Sequence, residues 1–98
     1  MHISIPTYKI FVDKVFDKEL RKSIKIHKDI LKYYEKAITT LSIYPLNLSK
    51  AHDIKKLNGV KMWQGEWRIR IGNYRLRYDV KNLNVHLFSI NHRKDIYK

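Results

Sequence analysis

Arginine is concentrated in one short stretch of this chain. Four of the six arginines lie between positions 67 and 80, and a fifth is Arg93, whereas the fifteen lysines are spread along the whole sequence. The four are Arg68, Arg70, Arg75 and Arg77. The planar guanidinium group can donate paired hydrogen bonds to a phosphate, while the lysine ammonium acts as a point charge. This concentration predicts a surface that holds phosphate groups.

The arginines alternate with apolar residues in two runs, 67–71 and 74–80, which are separated by Gly72-Asn73. Such a glycine-containing pair is typical of a two-residue β-hairpin turn. The predicted pairs are Trp67 with Tyr78, Arg68 with Arg77, Ile69 with Leu76, Arg70 with Arg75 and Ile71 with Tyr74. One face of the ribbon is then apolar and the other carries four arginines. Because like charges opposite each other destabilise a strand pair, this pattern favours a binding role over the alternative, a merely solvated face.

The overall composition points to a polyanionic partner. With 21 basic and 9 acidic residues, the chain carries a net charge of +12, for which nucleic acid is the default partner. The length of 98 residues predicts a single domain over 1–98. No segment approaches the ~20 apolar residues of a spanning helix, the first residues do not resemble a signal peptide, and cysteine is absent. We therefore expect a cytoplasmic protein with no membrane partner.

The remaining periodicity predicts the elements that must position the arginines. Asp13 is a candidate N-cap, and Pro45 should end the second helix. In chain order the patterns indicate a strand at 8–12, helices at 16–24 and 30–41, a glycine-closed helical turn at 53–59, a loop at 60–65 and a last strand at 85–90. The expected fold class is α+β, with an N-terminal strand and a two-helix hairpin packed on a twisted antiparallel sheet that ends in a three-stranded meander.

Three segments together resemble the RelE/ParE superfamily of small toxins from bacterial and archaeal toxin–antitoxin pairs, and its RelE-like branch in particular. They are residues 53–59, 67–78 and 91–97. The similarity covers 53–98 well, while the N-terminal half matches only as a strand followed by a helical hairpin.

The resemblance implies a type II toxin that acts as a ribosome-dependent endoribonuclease and cuts messenger RNA without a metal or a small-molecule cofactor. Its implied partners are a cognate antitoxin, the ribosome and mRNA. In this resemblance, such enzymes often carry lysines at the positions of Arg68 and Arg70. Arg75 corresponds to their arginine after the turn. Their C-terminal arginine and tyrosine correspond to Arg93 and Tyr97. Since arginine stays protonated in proteins, it is a poor general base.

Proton transfer needs another group, and the nearby candidates are His92, Tyr97 and Glu66. His92 is the best base on chemistry alone, because only histidine has an unperturbed pKa near neutrality; the alternative is an ordinary surface histidine. We expect further RNA contacts from Arg77, Lys55, Lys56 and Lys94, although a solvated surface is the competing interpretation of the lysines. The histidines show no ligand spacing, so no metal site is expected.

Two other functions remain open on the sequence. One is a non-enzymatic toxin of the ParE branch that inhibits DNA gyrase by binding, which would not need a convergent basic cluster. The other is a basic nucleic-acid-binding domain without catalysis, which predicts strongly salt-dependent binding and no cleaved product.

Overall fold

A five-stranded sheet with two helices on one face forms the framework. The structure, a computed structural model, describes residues 7–96. Its elements are β1 Lys9–Val12, α1 Lys14–Ile26, α2 Ile30–Leu41, β2 Ile54–Lys56, β3 Trp67–Ile71, β4 Tyr74–Lys81, β5 Asn84–His92 and the short α3 Arg93–Ile96. The strand order is β1-β5-β4-β3-β2. The predicted α+β class, with a helical hairpin between the first strand and a terminal meander, is confirmed.

The sheet is mixed because β1 pairs in parallel with β5, while the other neighbours are antiparallel. The helical hairpin carries the chain across one face of the sheet, from β1 at one edge to β2 at the other. Strands β2 to β5 then return as antiparallel neighbours until β5 lies beside β1, so the parallel pair is joined by a long crossover connection. Asp13 is the N-cap of α1, and its carboxylate accepts the N–H of Phe16 at 2.7 Å. Apolar residues of both helices then pack against the inner face of the sheet; the buried set includes Phe16, Leu20, Ile30, Ala37, Leu41, Ile69, Leu76, Val85 and Ile90.

The predicted hairpin register is confirmed at all five pairs between β3 and β4. Gly72 has φ +58°, which suits the first central position of a type II′ turn. A Cβ at this position would also lie 2.6 Å from the ring of Tyr33. The turn is therefore packed directly against α2, and this contact fixes where the arginine-bearing hairpin sits.

Replacement of Gly72 by alanine is expected to destabilise the protein by about 2 kcal/mol, through the left-handed backbone and the crowded Tyr33 ring. Gly59→Ala is the matched control, because Gly59 has φ +74° but nothing within 4 Å of its added Cβ. Urea unfolding should show the larger loss for Gly72→Ala. Equal losses would mean that the contact with Tyr33 contributes nothing.

The segment 53–59 differs from the prediction of a helical turn. Ile54–Lys56 instead forms β2 and pairs with β3 in the register Ile54–Ile69 and Lys55–Arg68. A helical turn there would have left β3 as an unpaired edge, so the ladder hydrogen bonds decide for a strand. Asn47 reinforces the strand through its side-chain amide, which donates to the carbonyls of His52 and Ile54 at 2.8 and 3.2 Å.

A buried tyrosine connects the sheet to the end of the helical hairpin. The hydroxyl of Tyr78 donates to the carbonyl of Pro45 at 2.6 Å, and burial raises the pKa of Tyr78 well above its ordinary value of 10.0. The folded state therefore keeps a proton that the unfolded chain releases above that pH.

The free energy of unfolding is accordingly expected to fall as the pH rises above 10.0, by about 1.4 kcal/mol per pH unit for this tyrosine. Well below pH 10.0 Tyr78 is protonated in both the folded and the unfolded state, so it does not change the free energy of unfolding with pH. Urea titrations of the wild type and of Tyr78→Phe between pH 8 and about 12 test this linkage. Parallel pH profiles for the two proteins would contradict it.

Candidate functional site

Three arginines from different parts of the chain border one cleft beside the β3–β4 turn. The cleft has a volume of about 370 Å³, and its lining residues are Arg70, Gly72, Asn73, Tyr74, Arg75 and Arg93. Arg93 reaches it because α3 begins against the turn, where the N–H of Arg93 donates to the carbonyl of Asn73 at 2.7 Å. The site thus brings together the hairpin arginines nearest the turn and the C-terminal arginine.

The side of the cleft toward the helices is formed by a buried, hydrogen-bonded tyrosine. Tyr74 is fully buried, and its hydroxyl donates to the carboxylate of Asp29 in the connection between α1 and α2. Burial, together with this hydrogen bond, raises the pKa of Tyr74, so the phenol stays neutral and structural. The cleft arginines are therefore carried on a turn that is attached to both the sheet and the helical hairpin.

The next hairpin arginine, Arg68, is largely enclosed. Its side chain is only 13% exposed, against 47% for Arg70. Asp53 accepts from the Arg68 guanidinium at 3.0 Å and lies 3.8 Å from Nε of Arg70. Burial lowers the pKa of Arg68, and the nearby carboxylate opposes that shift. Asp53 thus relieves the repulsion within this basic row and leaves Arg70 the more accessible of the two.

The fourth hairpin arginine, Arg77, is engaged by the loop between β2 and β3. Its guanidinium donates to the carbonyls of Gln64 and Gly65 at 2.6 and 3.0 Å. The buried carboxylate of Asp79 accepts the N–H groups of Gly65 and Glu66 at 2.9 and 3.0 Å. The loop therefore covers part of the sheet face that the sequence predicts to carry only arginines. We call the contacts of Arg77 and Asp79 with residues 64–66 the loop clamp.

His92 is a neighbour of the arginine cleft, but its side chain lies on the face of the sheet that carries the helices. It is paired with Tyr74 across the strands, and its ring stacks on His27 with centroids 4.2 Å apart. Its Nδ1 accepts the backbone N–H of Lys94 at 3.1 Å, which places the proton of the neutral ring on Nε2. His92 lines a neighbouring recess with Asn73, Arg93 and Lys94.

The other predicted contact residues are distributed over two faces. Lys55 pairs with Arg68 and so shares the arginine face. Lys56 lies on the opposite face, with its ammonium 5.9 Å from the Trp67 ring centroid and 3.9 Å from the Glu66 carboxylate. Glu66 is thereby separated from the arginine cleft.

Tyr97 lies outside the described residues, and its predicted role stays a prediction. Among the side chains that the structure describes, those of residues 7–94, no group of three or more histidine, aspartate or glutamate residues is placed to hold a metal ion. None of the helices in that part of the chain is long and apolar enough to cross a membrane.

Sequence reasoning missed three residues that shape the site. The sequence places Asp53 in a turn, yet its carboxylate neutralises part of the arginine row. No sequence pattern connects His27 with His92, because their contact joins a helix end to a distant strand. Asp79 carried a signal, since it is the only acid in the hairpin. A lone carboxylate among alternating arginines would have indicated a buried acceptor.

Comparisons with known proteins place this fold and its basic cleft among the small toxins of toxin–antitoxin systems. A family model described as the ParE toxin of type II toxin–antitoxin systems, parDE, matches residues 10–97. The chain is 33% identical over 90 residues to Toxin RelE3 of Methanocaldococcus jannaschii, which covers 91% of this chain and 94% of the relative. The crystal structure of a RelB–RelE antitoxin–toxin complex from Methanococcus jannaschii contains a chain with 32% sequence identity and a TM-score of 0.54; the match covers 89% of this chain and 94% of that one. The protein therefore belongs to the RelE/ParE superfamily of type II toxins.

Proposed function

We propose that this toxin is a ribosome-dependent endoribonuclease that cleaves mRNA without a metal. The observation that carries the proposal is the convergence of Arg70, Arg75 and Arg93 on one cleft. Similarity to a RelE toxin along almost the whole chain supports the same branch. A toxin that acted only by binding a protein would not need three guanidinium groups gathered around a space of this kind.

The chemistry is attack of a 2′-hydroxyl on the adjacent phosphate. A base takes the hydroxyl proton as the oxygen bonds to phosphorus, and the 5′-oxygen of the next nucleotide takes up a proton as its bond to phosphorus breaks, which leaves a 2′,3′-cyclic phosphate. The phosphorane formed on the way carries extra negative charge, and preorganised guanidinium groups stabilise it without reorganisation of solvent. Arg70 and Arg75 approach from adjacent strands, and Arg93 from the start of α3. The ribosome would hold the nucleotide in line for the attack, which lowers the entropic part of the barrier.

Proton transfer is assigned to a group outside the guanidinium cluster, because arginine stays protonated. In the neutral ring, Nδ1 of His92 accepts the Lys94 N–H, so Nε2 carries the proton and the ring has no free basic nitrogen. Only the imidazolium, with a proton on both nitrogens, can protonate the leaving 5′-oxygen. His92 is therefore a candidate for proton transfer once the hydrogen bond from Lys94 is broken. Tyr97 remains a second candidate for proton transfer or for stacking on a base.

A cognate antitoxin is the proposed protein partner. The similar solved chain belongs to an antitoxin–toxin complex, and the net charge of +12 favours an acidic or amphipathic antitoxin segment that covers the arginine face. Such a segment would compete with mRNA for the cleft, and the proposed place of action is the cytoplasm.

Mapping of mRNA ends on programmed ribosomes tests the proposal. We expect new ends in the decoding site when protein and ribosomes are both present, and none in a control with RNA and protein alone. Intact mRNA on ribosomes, from a preparation that still arrests growth in cells, would overturn it.

The match to a ParE family model favours inhibition of DNA gyrase as the second candidate. That function would act by binding and would not depend on the cleft arginines in the same way. A supercoiling assay with purified gyrase distinguishes the two, since only a ParE-like toxin should block it while leaving ribosome-bound mRNA intact.

A further inference from the structure

A strip of partly exposed aromatic rings lies on the same face of the sheet as the arginine cleft. The rings belong to Phe11, Trp63, His86 and Phe88, which we call the aromatic strip. Phe11 stacks on His86 with centroids 5.0 Å apart, and Trp63 meets His86 edge-on at 4.8 Å. The Arg77 guanidinium lies 5.5 Å from the centroid of Phe88. The strip therefore begins where the row of hairpin arginines ends.

Strand register places the strip and the cleft on one continuous surface. His86 on β5 pairs with Asp79 on β4. Arg75, at the cleft, lies on β4 four residues before Asp79. Four residues of a strand span about 13 Å, a distance that a few nucleotides can cover. Arg77 lies between them on this face.

Two lysines accompany the rings. The ammonium of Lys9 lies 5.5 Å from the centroid of Phe11, and that of Lys81 lies 5.8 Å from the centroid of Trp63. The nearby carboxylate of Asp79 is buried and holds two backbone N–H groups. Exposed rings flanked by cations are the arrangement with which proteins bind single strands, since every base has a face to stack and a phosphate to neutralise.

The backbone at Trp63 supports a binding role independently. Trp63 has φ +68°, a left-handed conformation that is rare for a bulky residue and costs free energy. The residue is 42% exposed, so burial does not explain the strain. The loop clamp fixes the residues that follow it, 64–66, on the sheet. The structure thus holds a strained and partly exposed tryptophan against His86.

We propose that the aromatic strip is a base-stacking subsite for unpaired nucleotides of the same RNA whose phosphate occupies the arginine cleft. The inference rests on the proposed RNA-directed function, and it adds the surface that binds bases beside the scissile phosphate. Stacking supplies affinity with little dependence on base identity, and the neighbouring lysines supply the salt-dependent part.

Fluorescence binding of a short single-stranded RNA tests the subsite without requiring cleavage. In the full chain with Trp67→Phe, Trp63 is the remaining tryptophan and reports on the strip. We expect RNA to quench its emission. Trp63→Leu, measured with fluorescently labelled RNA, should weaken binding about 10-fold or more and leave the slope of log Kd against log salt unchanged. Trp63→Phe, which keeps a ring, should restore most of the affinity.

Tyr44→Leu is the matched control, because Tyr44 is also 42% exposed and also contacts a histidine, His52, at 5.0 Å, but does not belong to the strip. It should bind RNA like the wild type. Phe11→Leu provides a second variant outside the strained loop and should weaken binding in the same way as Trp63→Leu.

The outcomes separate this inference from the proposed function. If Trp63→Leu and Phe11→Leu bind RNA like the wild type, the subsite is refuted even if ribosome-bound mRNA is cleaved. If both variants lose affinity and Trp63 is quenched but no mRNA is cut on ribosomes, the subsite stands and the catalytic proposal fails. Quenching of Trp63 by an acidic peptide and not by RNA would make the strip a protein-docking surface and overturn the assignment.

Discussion

Arg75→Ala is expected to lower the rate of ribosome-dependent mRNA cleavage about 100- to 1,000-fold. In the proposed mechanism this substitution removes one of the preorganised donors that face the phosphorane, and the loss of such a donor typically lowers the rate by that factor. Arg75 borders the cleft together with Arg70 and Arg93. Single-turnover cleavage on saturating programmed ribosomes measures the effect on the chemical step.

Arg21→Ala is the matched control for this substitution. It removes the same charge from an exposed site on α1, where Arg21 pairs with Asp17 at 2.8 Å. We expect its cleavage rate to stay within a few-fold of the wild type. Arg75→Lys separates charge from geometry, because it keeps the cation but loses the planar fork. Equal rates for Arg75→Ala and Arg21→Ala would show that the cleft is not the catalytic centre.

Asp79→Ala is expected to destabilise the fold by about 3 kcal/mol. The substitution removes the acceptor for the N–H groups of Gly65 and Glu66, and a buried donor left without its partner costs about 1 to 3 kcal/mol. In this variant, the loop clamp retains only the hydrogen bonds from Arg77. Urea unfolding monitored by circular dichroism measures the loss in the whole protein.

Asp17→Ala is the corresponding control, since Asp17 makes an exposed ion pair on α1. Exposed pairs contribute about 0 to 1 kcal/mol, so this variant should unfold close to the wild type. A similarly small loss for Asp79→Ala would mean that water replaces its carboxylate and that the loop is not held on the sheet by these bonds.

The loop clamp links this stability prediction to the aromatic strip. Since Asp79 and Arg77 fix the backbone directly after Trp63, Asp79→Ala should also weaken RNA binding at the strip. The cleft itself is attached through Asn73 and Tyr74, which are independent of the loop. The two parts of the surface can therefore be separated by mutation.

The local features of this protein followed from the sequence by itself. The period-two alternation around Gly72-Asn73 determined the register of β3 and β4, because a slip of one residue would bury arginines and expose the apolar face. The N-cap Asp13 and the apolar stripes determined both helices in the same way, since caps and periodic burial are decided within a few residues. The basic character of the site followed from the same hairpin.

Tertiary structure decided which arginines belong to the site. Arg93 joins Arg70 and Arg75 only because α3 starts against the Asn73 carbonyl, whereas Arg77 is drawn away by the carbonyls of a loop that precedes β3. Likewise, the weak local pattern at 54–56 became a strand because the edge of β3 offered backbone partners. Contacts of this kind join residues far apart in the chain, so their energies depend on the packed sheet and leave no periodic signal in the sequence.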